Sequence, residues 1–182
     1  MAYKQAERIL YENENFFIKE AKPAEREELF KLFEKHILKG TFEGVDEGKR
    51  RPPENLLSLV AMDKKRGVLA GGIERDMANA DEHLASTAGL VVKPDFRGKG
   101  IGKKLVEIAD LEMEKYGIER VTAIVSSEGG WKIYRAQGYY YDEETKAHLR
   151  AEGIPEDRFV KTVPMVKEFG GEPALKLPRR MS

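Results

Sequence analysis

The sequence predicts an α/β domain with a mixed sheet, and three features lead to this class. A short turn at 63–67 separates two strand-like stretches, as in an antiparallel hairpin. Residues 120–126 form a nearly continuous apolar run, which is typical of a strand buried on both faces. A strand, a glycine-rich turn and an amphipathic helix follow one another over 84–113. Strand and helix signals that alternate along one chain are the pattern of an α/β domain.

The first half of the chain divides into elements that are separated by proline and glycine. Pro23 fits the first position of a helix, and Gly40 fits the position just after its end. A charged loop at 41–53 separates this helix from the strands that follow. The predicted order is a short helix or loosely held extension at 1–13, a strand at 16–18, a helix at 23–38, and strands at 56–62 and 68–73.

The second half begins with a strand at 84–92 and the glycine-rich turn at 97–102. The helix after this turn carries Ile101, Leu105 and Ile108 on one side at helical spacing. Later elements are a strand at 120–126, a short helix at 131–137, a strand that opens at 139–141, a small helical insertion at 143–152 and a last strand at 159–168. Pro164 predicts that the last strand lies at a sheet edge, because proline cannot donate to a ladder.

The totals describe one ordinary domain without a strong electrostatic field. The chain has 182 residues, and Lys+Arg and Asp+Glu both number 32, so the formal net charge is zero. A neutral chain offers no general attraction to nucleic acid or to an anionic membrane, and no apolar run approaches the ~20 residues that cross a bilayer. We expect a single domain over 1–182, with a core at about 15–168, an N-terminal extension at 1–13, an insertion at 142–158 and a C-terminal tail at 170–182.

Cysteine is absent from the sequence. Its absence excludes disulfides, thiolate metal sites and an acyl-cysteine intermediate, and it suits a reducing cytoplasm. The histidines His36, His83 and His148 lack the spacing of metal ligands, so no metal is expected. Residues 1–15 are too charged for a secretory signal, and a cytoplasmic location is expected.

The turn RGKGIG at 97–102 has the composition of an anion site. Unpaired amides and the dipole at a helix start attract anions, and glycine lets a phosphate approach the backbone closely. A mononucleotide P-loop requires a hydroxyl residue after its Gly-Lys pair, and Lys104 stands there instead. The dinucleotide fingerprint requires its third glycine at 103, and Gly102 comes one residue too early.

A third pattern fits two parts of the chain. RGKGIG is similar to the [Q/R]-x-x-G-x-[G/A] signature of the GNAT superfamily of N-acetyltransferases. VVKPDF at 91–96 resembles that family's strand end, and IYRAQGY at 133–139 resembles its L-Y-x-x-x-G-F block. The resemblance extends from Phe16 to about Glu168. It implies the GNAT fold, a mixed, mostly antiparallel twisted sheet of about six to seven strands flanked by helices, with a splayed central parallel pair that binds acyl-CoA.

The resemblance implies acetyl-CoA as co-substrate and no metal. The coenzyme would lie between the strand that ends at Val92 and the strand at 120–126, with its pantetheine arm along the main chain of the first strand. Its pyrophosphate would bind the glycine-rich turn. The implied coenzyme-binding residues are Leu90, Val91, Val92, Arg97, Gly98, Lys99, Gly100, Ile101, Gly102 and Lys103.

The resemblance also implies catalytic roles. Tyr134 occupies the position of the family's general acid, which protonates the leaving thiolate, and a phenol is protonated at neutral pH. Family members often carry a glutamate that acts as the general base on one of the splayed strands. Ser86 and Thr122 stand at those positions here. Glu74, Asp76, Glu82 and His83 lie on or near the adjoining strands, and of these Glu74 and His83 are the candidate bases.

Together these features predict an N-acetyltransferase that moves an acetyl group from acetyl-CoA to a primary amine by direct attack through a tetrahedral intermediate. The alternative is an acyl-CoA-binding or regulatory module of the same fold with weak or no turnover, because the strand carboxylates are missing. The acceptor is expected to be a small-molecule amine or a protein or peptide amine, and no nucleic acid or membrane partner is expected. Formation of a homodimer is left open.

Overall fold

The computed structural model describes residues 7–38 and 53–170, which form a seven-stranded sheet with helices on both faces. The strands lie side by side in chain order, and every neighbouring pair is antiparallel except the fifth and sixth, which are parallel. This arrangement confirms the predicted fold class. The strands are β1 Ile9–Glu12, β2 Phe16–Glu20, β3 Leu56–Asp63, β4 Val68–Asp76, β5 Leu84–Val92, β6 Arg120–Ile124 and β7 Pro164–Glu168.

Local signals mark the starts of helices α1 and α2. In α1, Pro23 takes the first helical position, and the Glu25 side chain accepts a 2.8 Å hydrogen bond from the Lys22 amide. In α2, Gly100 precedes the helix with a left-handed φ of 76°. The helices are α1 Pro23–Phe33, which continues as a π-helical turn over Glu34–Leu38, α2 Ile101–Lys115, α3 Glu128–Ala136 and α4 Glu143–Ala151.

The sheet separates two apolar cores. The larger core lies between the sheet and helices α2 and α3, on the side we call the α2 face, and it includes Leu59 and Leu105. The smaller core lies under α1, on the side we call the α1 face, and it includes Leu29, Phe33 and Val91. Burial of one such side chain stabilises the fold by about 1.5–3 kcal/mol. The larger core therefore supplies most of the apolar stabilisation among the described residues.

Three predicted elements differ in the structure. Residues Ile9–Glu12 form a strand and not a helix, because pairing with β2 satisfies backbone groups that a short isolated helix would satisfy poorly. The strand predicted to open at 139–141 is reduced to one bridge between Tyr140 and Val166. The last strand begins at Pro164 and not at 159, because Thr162 has a left-handed φ of 65° that interrupts the extended chain.

The predicted insertion contains helix α4, whose first turn is capped by Asp142 through a 3.0 Å bond from the Thr145 amide. Strand β7 lies at a sheet edge, as Pro164 predicted. Residues 1–6 of the predicted extension, Gly40 with residues 41–52 of the predicted loop, and residues 171–182 of the predicted tail lie outside the described residues. Over 7–38 and 53–170, none of the helices has the length and apolarity that crossing a membrane requires.

Candidate active site

Strands β5 and β6 separate part-way along their length. Their parallel pairing covers Leu84 with Arg120, Ala85 with Val121 and Ser86 with Thr122. Beyond these three pairs the ladder between the two strands ends, whereas β5 continues to Val92. We call the space between residues 87–92 of β5 and residues 123–124 of β6 the splayed gap. The sheet is thus open at one place in its interior, where main-chain groups become available to a ligand.

A β-bulge lies on β5 beside the splayed gap. Glu74 of β4 is opposite Gly89, and Arg75 is opposite Thr87, so Ala88 is the extra residue. The bulge reverses the alternation of side chains along β5. Ala85 packs in the larger core on the α2 face before the bulge, whereas Leu90 and Val92 pack against that core after it. The strand therefore changes register where it leaves β6.

Alternate residues of β5 direct their main-chain N–H and C=O groups toward the splayed gap. The Lys93 amide donates a 2.8 Å hydrogen bond to the Ala70 carbonyl on the β4 side. Because alternate residues of a strand direct their polar groups to opposite sides, those of Val92 and Leu90 point away from β4. Consistent with this direction, the Val92 carbonyl accepts a 3.0 Å bond from Arg97 Nε. Three strand residues are expected to bind coenzyme. Leu90 and Val92 direct their main-chain polar groups to the gap, whereas those of Val91 point to β4.

The glycine-rich turn lies at the end of β5 and opens α2. Gly98 and Gly100 have φ of 75° and 76°, in the left-handed region that glycine adopts freely. Arg97, Lys99 and Lys103 are exposed around it. No side chain caps the start of α2, so its first amides are open to an anion. The turn has the features that a phosphate site requires.

Gly102 brings three parts of the site together. A Cβ on this residue would lie 3.0 Å from Ile133 Cδ1 of α3 and 3.5 Å from Val92 Cγ2 of β5. Glycine lets the first turn of α2 approach both elements without displacing the end of the Ile133 side chain. The strand end, the phosphate-type turn and the helix that carries Tyr134 therefore lie against one another.

Tyr134 is buried on the α2 face with 3% of its surface exposed. Its ring meets the Tyr139 ring edge to face, with centroids 4.9 Å apart. Among the described residues its hydroxyl makes no hydrogen bond of normal geometry, although Thr87 and Arg75 lie close enough to interact with it electrostatically. Burial raises the pKa of Tyr134, and Arg75 and Thr87 offset part of that rise. The phenol is therefore protonated at neutral pH and available as a proton donor.

Glu74 lies on the α1 face with 7% of its surface exposed. Its carboxylate accepts a 2.9 Å hydrogen bond from the Ser58 hydroxyl on the neighbouring strand. Gly89, its partner on β5, is covered by Phe33, because a Cβ there would lie 2.8 Å from the ring. Glu74 is thus beside the bulge, on the face opposite Tyr134.

His83 lies just before β5, at the paired end of the two parallel strands. Its backbone is left-handed, with φ of 61°, and its Nδ1 is 2.8 Å from the Gly117 carbonyl oxygen. Its own carbonyl accepts hydrogen bonds from the amides of Glu119 and Arg120. The structure therefore brings His83 to the connection between α2 and β6 and does not bring it together with the bulge.

A buried polar cluster on the α2 face is a feature that the sequence alone did not reveal. Arg75 has 0% of its surface exposed, and its guanidinium donates to Asp110 Oδ1 at 2.6 Å, to the Tyr139 hydroxyl at 3.0 Å and to the Thr87 hydroxyl. Asp110 also accepts from the Tyr139 hydroxyl at 2.8 Å and from Lys167 Nζ at 2.9 Å. One signal was available, because Asp110 is a charged residue between Val106 and Met113 on the apolar stripe of α2.

A surface cavity of about 330 Å³ lies at the opposite end of the sheet from the glycine-rich turn. Glu20, Arg26 and Tyr116, among others, line it. None of the residues expected to bind coenzyme or to take part in catalysis belongs to its lining. Among the described residues, moreover, no group of three or more metal-type side chains is arranged to hold an ion. The candidate site is the splayed gap and its surroundings.

Comparisons with known proteins agree with this geometry. A family model described as an acetyltransferase (GNAT) domain matches residues 54–141, which include β3 to α3. An acetyltransferase of the GNAT family from Staphylococcus aureus Mu50 is similar over 84% of this chain and 98% of its own, with a TM-score of 0.61 and 13% identity. A search of curated proteins found no significant match.

Two further similar structures contain the coenzyme or its acetylated form. A phosphinothricin acetyltransferase from Sinorhizobium meliloti, in complex with AcCoA, is similar over 90% of this chain and 93% of its own, with a TM-score of 0.59 and 19% identity. The GNAT family N-acetyltransferase YhbS from Escherichia coli, in complex with CoA, is similar over 87% of this chain and 83% of its own, with a TM-score of 0.54 and 17% identity. The family model spans the splayed strands, the glycine-rich turn and the tyrosine helix, so residues 54–141 form a GNAT acetyltransferase domain.

Proposed function

We propose that this protein is an N-acetyltransferase that transfers an acetyl group from acetyl-CoA to a primary amine. The observation that carries the proposal is the splayed gap, which has a phosphate-type turn at one end and the buried phenol of Tyr134 beside Thr87 at its vertex. Membership of the acetyltransferase family supports the reaction class. The complexes of the similar proteins from S. meliloti and E. coli with AcCoA and CoA support the donor.

Coenzyme binding would use the turn and the strand end together. The open amides of 98–103 and the dipole of α2 would hold the pyrophosphate, with Arg97, Lys99 and Lys103 supplying positive charge. The pantetheine arm would pair with the main chain of Leu90 and Val92. Arg97 contacts the Val92 carbonyl, so this side chain would move aside or shift its bond when the arm binds.

In the proposed reaction, the neutral amine nitrogen attacks the thioester carbonyl carbon, and a C–N bond forms as the carbonyl oxygen becomes an oxyanion. The Leu90 amide, directed into the splayed gap, would donate a hydrogen bond to that oxygen. The intermediate then collapses, the C–S bond breaks, and the thiolate takes the proton of Tyr134. The surplus proton of the nitrogen leaves through Glu74, directly or through water, and Tyr134 is reprotonated from solvent.

The two proton-transfer groups would act on opposite sides of β5. Glu74 is on the α1 face beside the bulge, and Tyr134 is on the α2 face beside Thr87. The amine would therefore approach from the side of α1, and the thiol would leave on the side of α3. We assign the base role to Glu74 in preference to His83, because His83 lies at the paired end of the strands and contacts Gly117.

A second candidate function is coenzyme binding without turnover. Ser86 and Thr122, the last residues paired between β5 and β6, stand where the family often has a carboxylate base. If Glu74 cannot replace that base, the protein would bind acetyl-CoA and release no thiol. Binding and turnover therefore separate the two functions.

The experiment measures both properties on the full chain. Calorimetric titration with acetyl-CoA and with CoA tests binding, and release of free thiol in the presence of small amines, amino acids and peptides tests turnover. Binding with amine-dependent thiol release supports the acetyltransferase. Binding without release from any amine supports the second candidate, and failure to bind either coenzyme form contradicts both functions.

A further inference from the structure

We propose that Arg75 is a positioning residue for Tyr134: its buried guanidinium sets the place of the phenol and stabilises the negative charge that Tyr134 acquires on giving up its proton. This inference rests on the proposed acyl transfer, in which Tyr134 protonates the thiolate. It concerns the polar cluster of Arg75, Thr87, Asp110, Tyr139 and Lys167, whose members come from β4, β5, α2, the segment after α3, and β7.

Arg75 reaches Tyr134 through two intermediate residues, Thr87 and Tyr139. Arg75 donates to the hydroxyl of Thr87, the first β5 residue beyond the parallel pairing, and Thr87 lies beside the phenol. Arg75 also donates to the hydroxyl of Tyr139, whose ring packs edge to face against the Tyr134 ring at 4.9 Å. The phenol is therefore held between two groups that the guanidinium itself holds.

The charged side chains of the cluster have a net positive charge, which one more negative charge would neutralise. Arg75 and Lys167 each carry +1 and Asp110 carries −1, so these three charged side chains sum to +1. They are the charged groups that the described residues direct at Tyr134 or its ring partner, and Tyr139 is held neutral because burial raises its pKa well above the ordinary value. Arg75 is fully buried and Lys167 is only partly exposed, so water screens this surplus positive charge incompletely and an anion that forms beside it is favoured. The phenolate of Tyr134 is such an anion.

Two unpaired atoms point to the same function. Arg75 Nε and the Tyr134 hydroxyl are buried and make no hydrogen bond of normal geometry among the described residues. An unpaired buried donor costs about 1–3 kcal/mol, and the Thr87 and Arg75 side chains close to the phenol relieve only part of that cost. In the proposed step the O–H bond of Tyr134 breaks, an S–H bond forms, and the phenolate oxygen becomes an acceptor for the guanidinium.

The test is a double-mutant cycle in the full chain, with kcat and the KM for acetyl-CoA measured by thiol release. Arg75→Gln should lower kcat by about 10- to 100-fold in the wild-type background, which is at most the lower end of what a general acid contributes, and leave KM unchanged. In the Tyr134→Phe background the same change should alter kcat by less than about threefold, because no phenolate forms. Arg75→Lys, which keeps the charge, should restore most of the activity.

Lys167→Met gives a second route if Arg75→Gln does not fold, because this side chain is partly exposed and its loss removes the surplus charge. It should lower kcat by about 3- to 10-fold with Tyr134 present and have no effect without it. Arg120→Gln is the matched control, since Arg120 also pairs with two carboxylates, Asp142 and Glu168, but lies outside the cluster. It should leave kcat unchanged in both backgrounds.

The outcomes separate this inference from the proposed function. Equal losses on removing Arg75 or Lys167 with and without Tyr134 would overturn the inference and assign the cluster to fold stability, while acyl transfer would stand. An active protein whose kcat is unchanged by Tyr134→Phe would also overturn it, because there would be no acid to position. A wild-type protein that releases no thiol would contradict the proposed function itself.

Discussion

Glu74 and Arg75 are neighbours on β4, and they place opposite charges on opposite faces of the sheet. The carboxylate on the α1 face accepts a hydrogen bond from a neutral hydroxyl, that of Ser58. The guanidinium on the α2 face is fully buried and bonded to Asp110, Tyr139 and Thr87. Because successive side chains of a strand point to opposite faces, the two charges cannot form an ion pair with each other. Strand β4 thus separates Glu74, the proposed proton acceptor, from the polar cluster around Tyr134, the proposed proton donor. The two lie on opposite faces of the sheet.

The largest effect is expected on the α2 face, from Tyr134→Phe. The change removes the proposed acid and leaves the ring, so kcat should fall by about 100-fold or more with little change in the KM for acetyl-CoA. Thermal stability should hardly change, because the hydroxyl makes no hydrogen bond of normal geometry among the described residues. Thiol-release kinetics and a thermal melt measure the two quantities on the same preparation.

Tyr140→Phe is the matched control for Tyr134→Phe. Tyr140 is half-buried, bridges to Val166 through its main chain and lies outside the polar cluster. Its loss of a hydroxyl should leave kcat within about twofold of the wild type. A Tyr134→Phe protein that retains full activity would mean that the thiolate leaves without a protein acid, and the division of roles between the two faces would fail.

The next effect is expected on the α1 face, from Gly89→Ala. The added Cβ would lie 2.8 Å from the Phe33 ring, which is itself buried, so the free energy of unfolding should fall by about 1–3 kcal/mol. Phe33→Leu in the same chain should recover part of the loss, because a smaller side chain gives way. Denaturant titration measures both changes, and an unchanged free energy of unfolding would contradict the close packing of α1 on the bulge.

Glu74→Gln tests the chemistry of the same face. Glutamine keeps the shape and can accept the Ser58 hydrogen bond, but it does not take a proton. The kcat/KM for the amine should fall by about tenfold at neutral pH, and the deficit should shrink at alkaline pH where the amine is already neutral. Glu82→Gln, an exposed change near the start of β5, is the control. Equal pH profiles for Glu74→Gln and wild type would remove Glu74 as the base.

The sequence predicted the parts of the site that are contiguous in the chain. Strand β5, the glycine-rich turn and α2 carry local signals, namely an apolar run, repeated glycine and helical periodicity, and all three lie where those signals place them. Tyr134 was found because it belongs to a short motif. The roles assigned to these residues stay predictions until binding and turnover are measured.

The polar cluster could not be found in this way. Arg75 meets Asp110 across 35 residues of sequence and Tyr139 across 64, so its burial depends on how distant elements pack. The bulge at Ala88 could not be predicted either, because the extra residue is recognised only once β4 and β5 are paired. His83 had the right chemistry for a base, but only the fold shows that it contacts the Gly117 carbonyl.

The smallest effect is expected from two glycines at the start of α3, the helix that carries Tyr134. Gly129 has no positive φ, and nothing lies within 4 Å of a Cβ built on it, so Gly129→Ala should raise the free energy of unfolding by about 0.5–1 kcal/mol through helix propensity. At Gly130 the Cβ would lie 3.0 Å from Val125 Cγ1 and 3.2 Å from Ser127 Oγ, which caps the helix.

Crowding at Gly130 should cancel the gain in helix propensity, so Gly130→Ala should stabilise less than Gly129→Ala or destabilise. The two variants therefore compare a glycine-to-alanine change without a close neighbour, at Gly129, with the same change against Val125 and Ser127, at Gly130. If Tyr134 is positioned by Arg75 and its partners, a stiffer first turn of α3 should leave kcat within about twofold of the wild type. A large loss of kcat in Gly129→Ala, with coenzyme affinity unchanged, would mean that movement of α3 and not the polar cluster sets the place of the phenol.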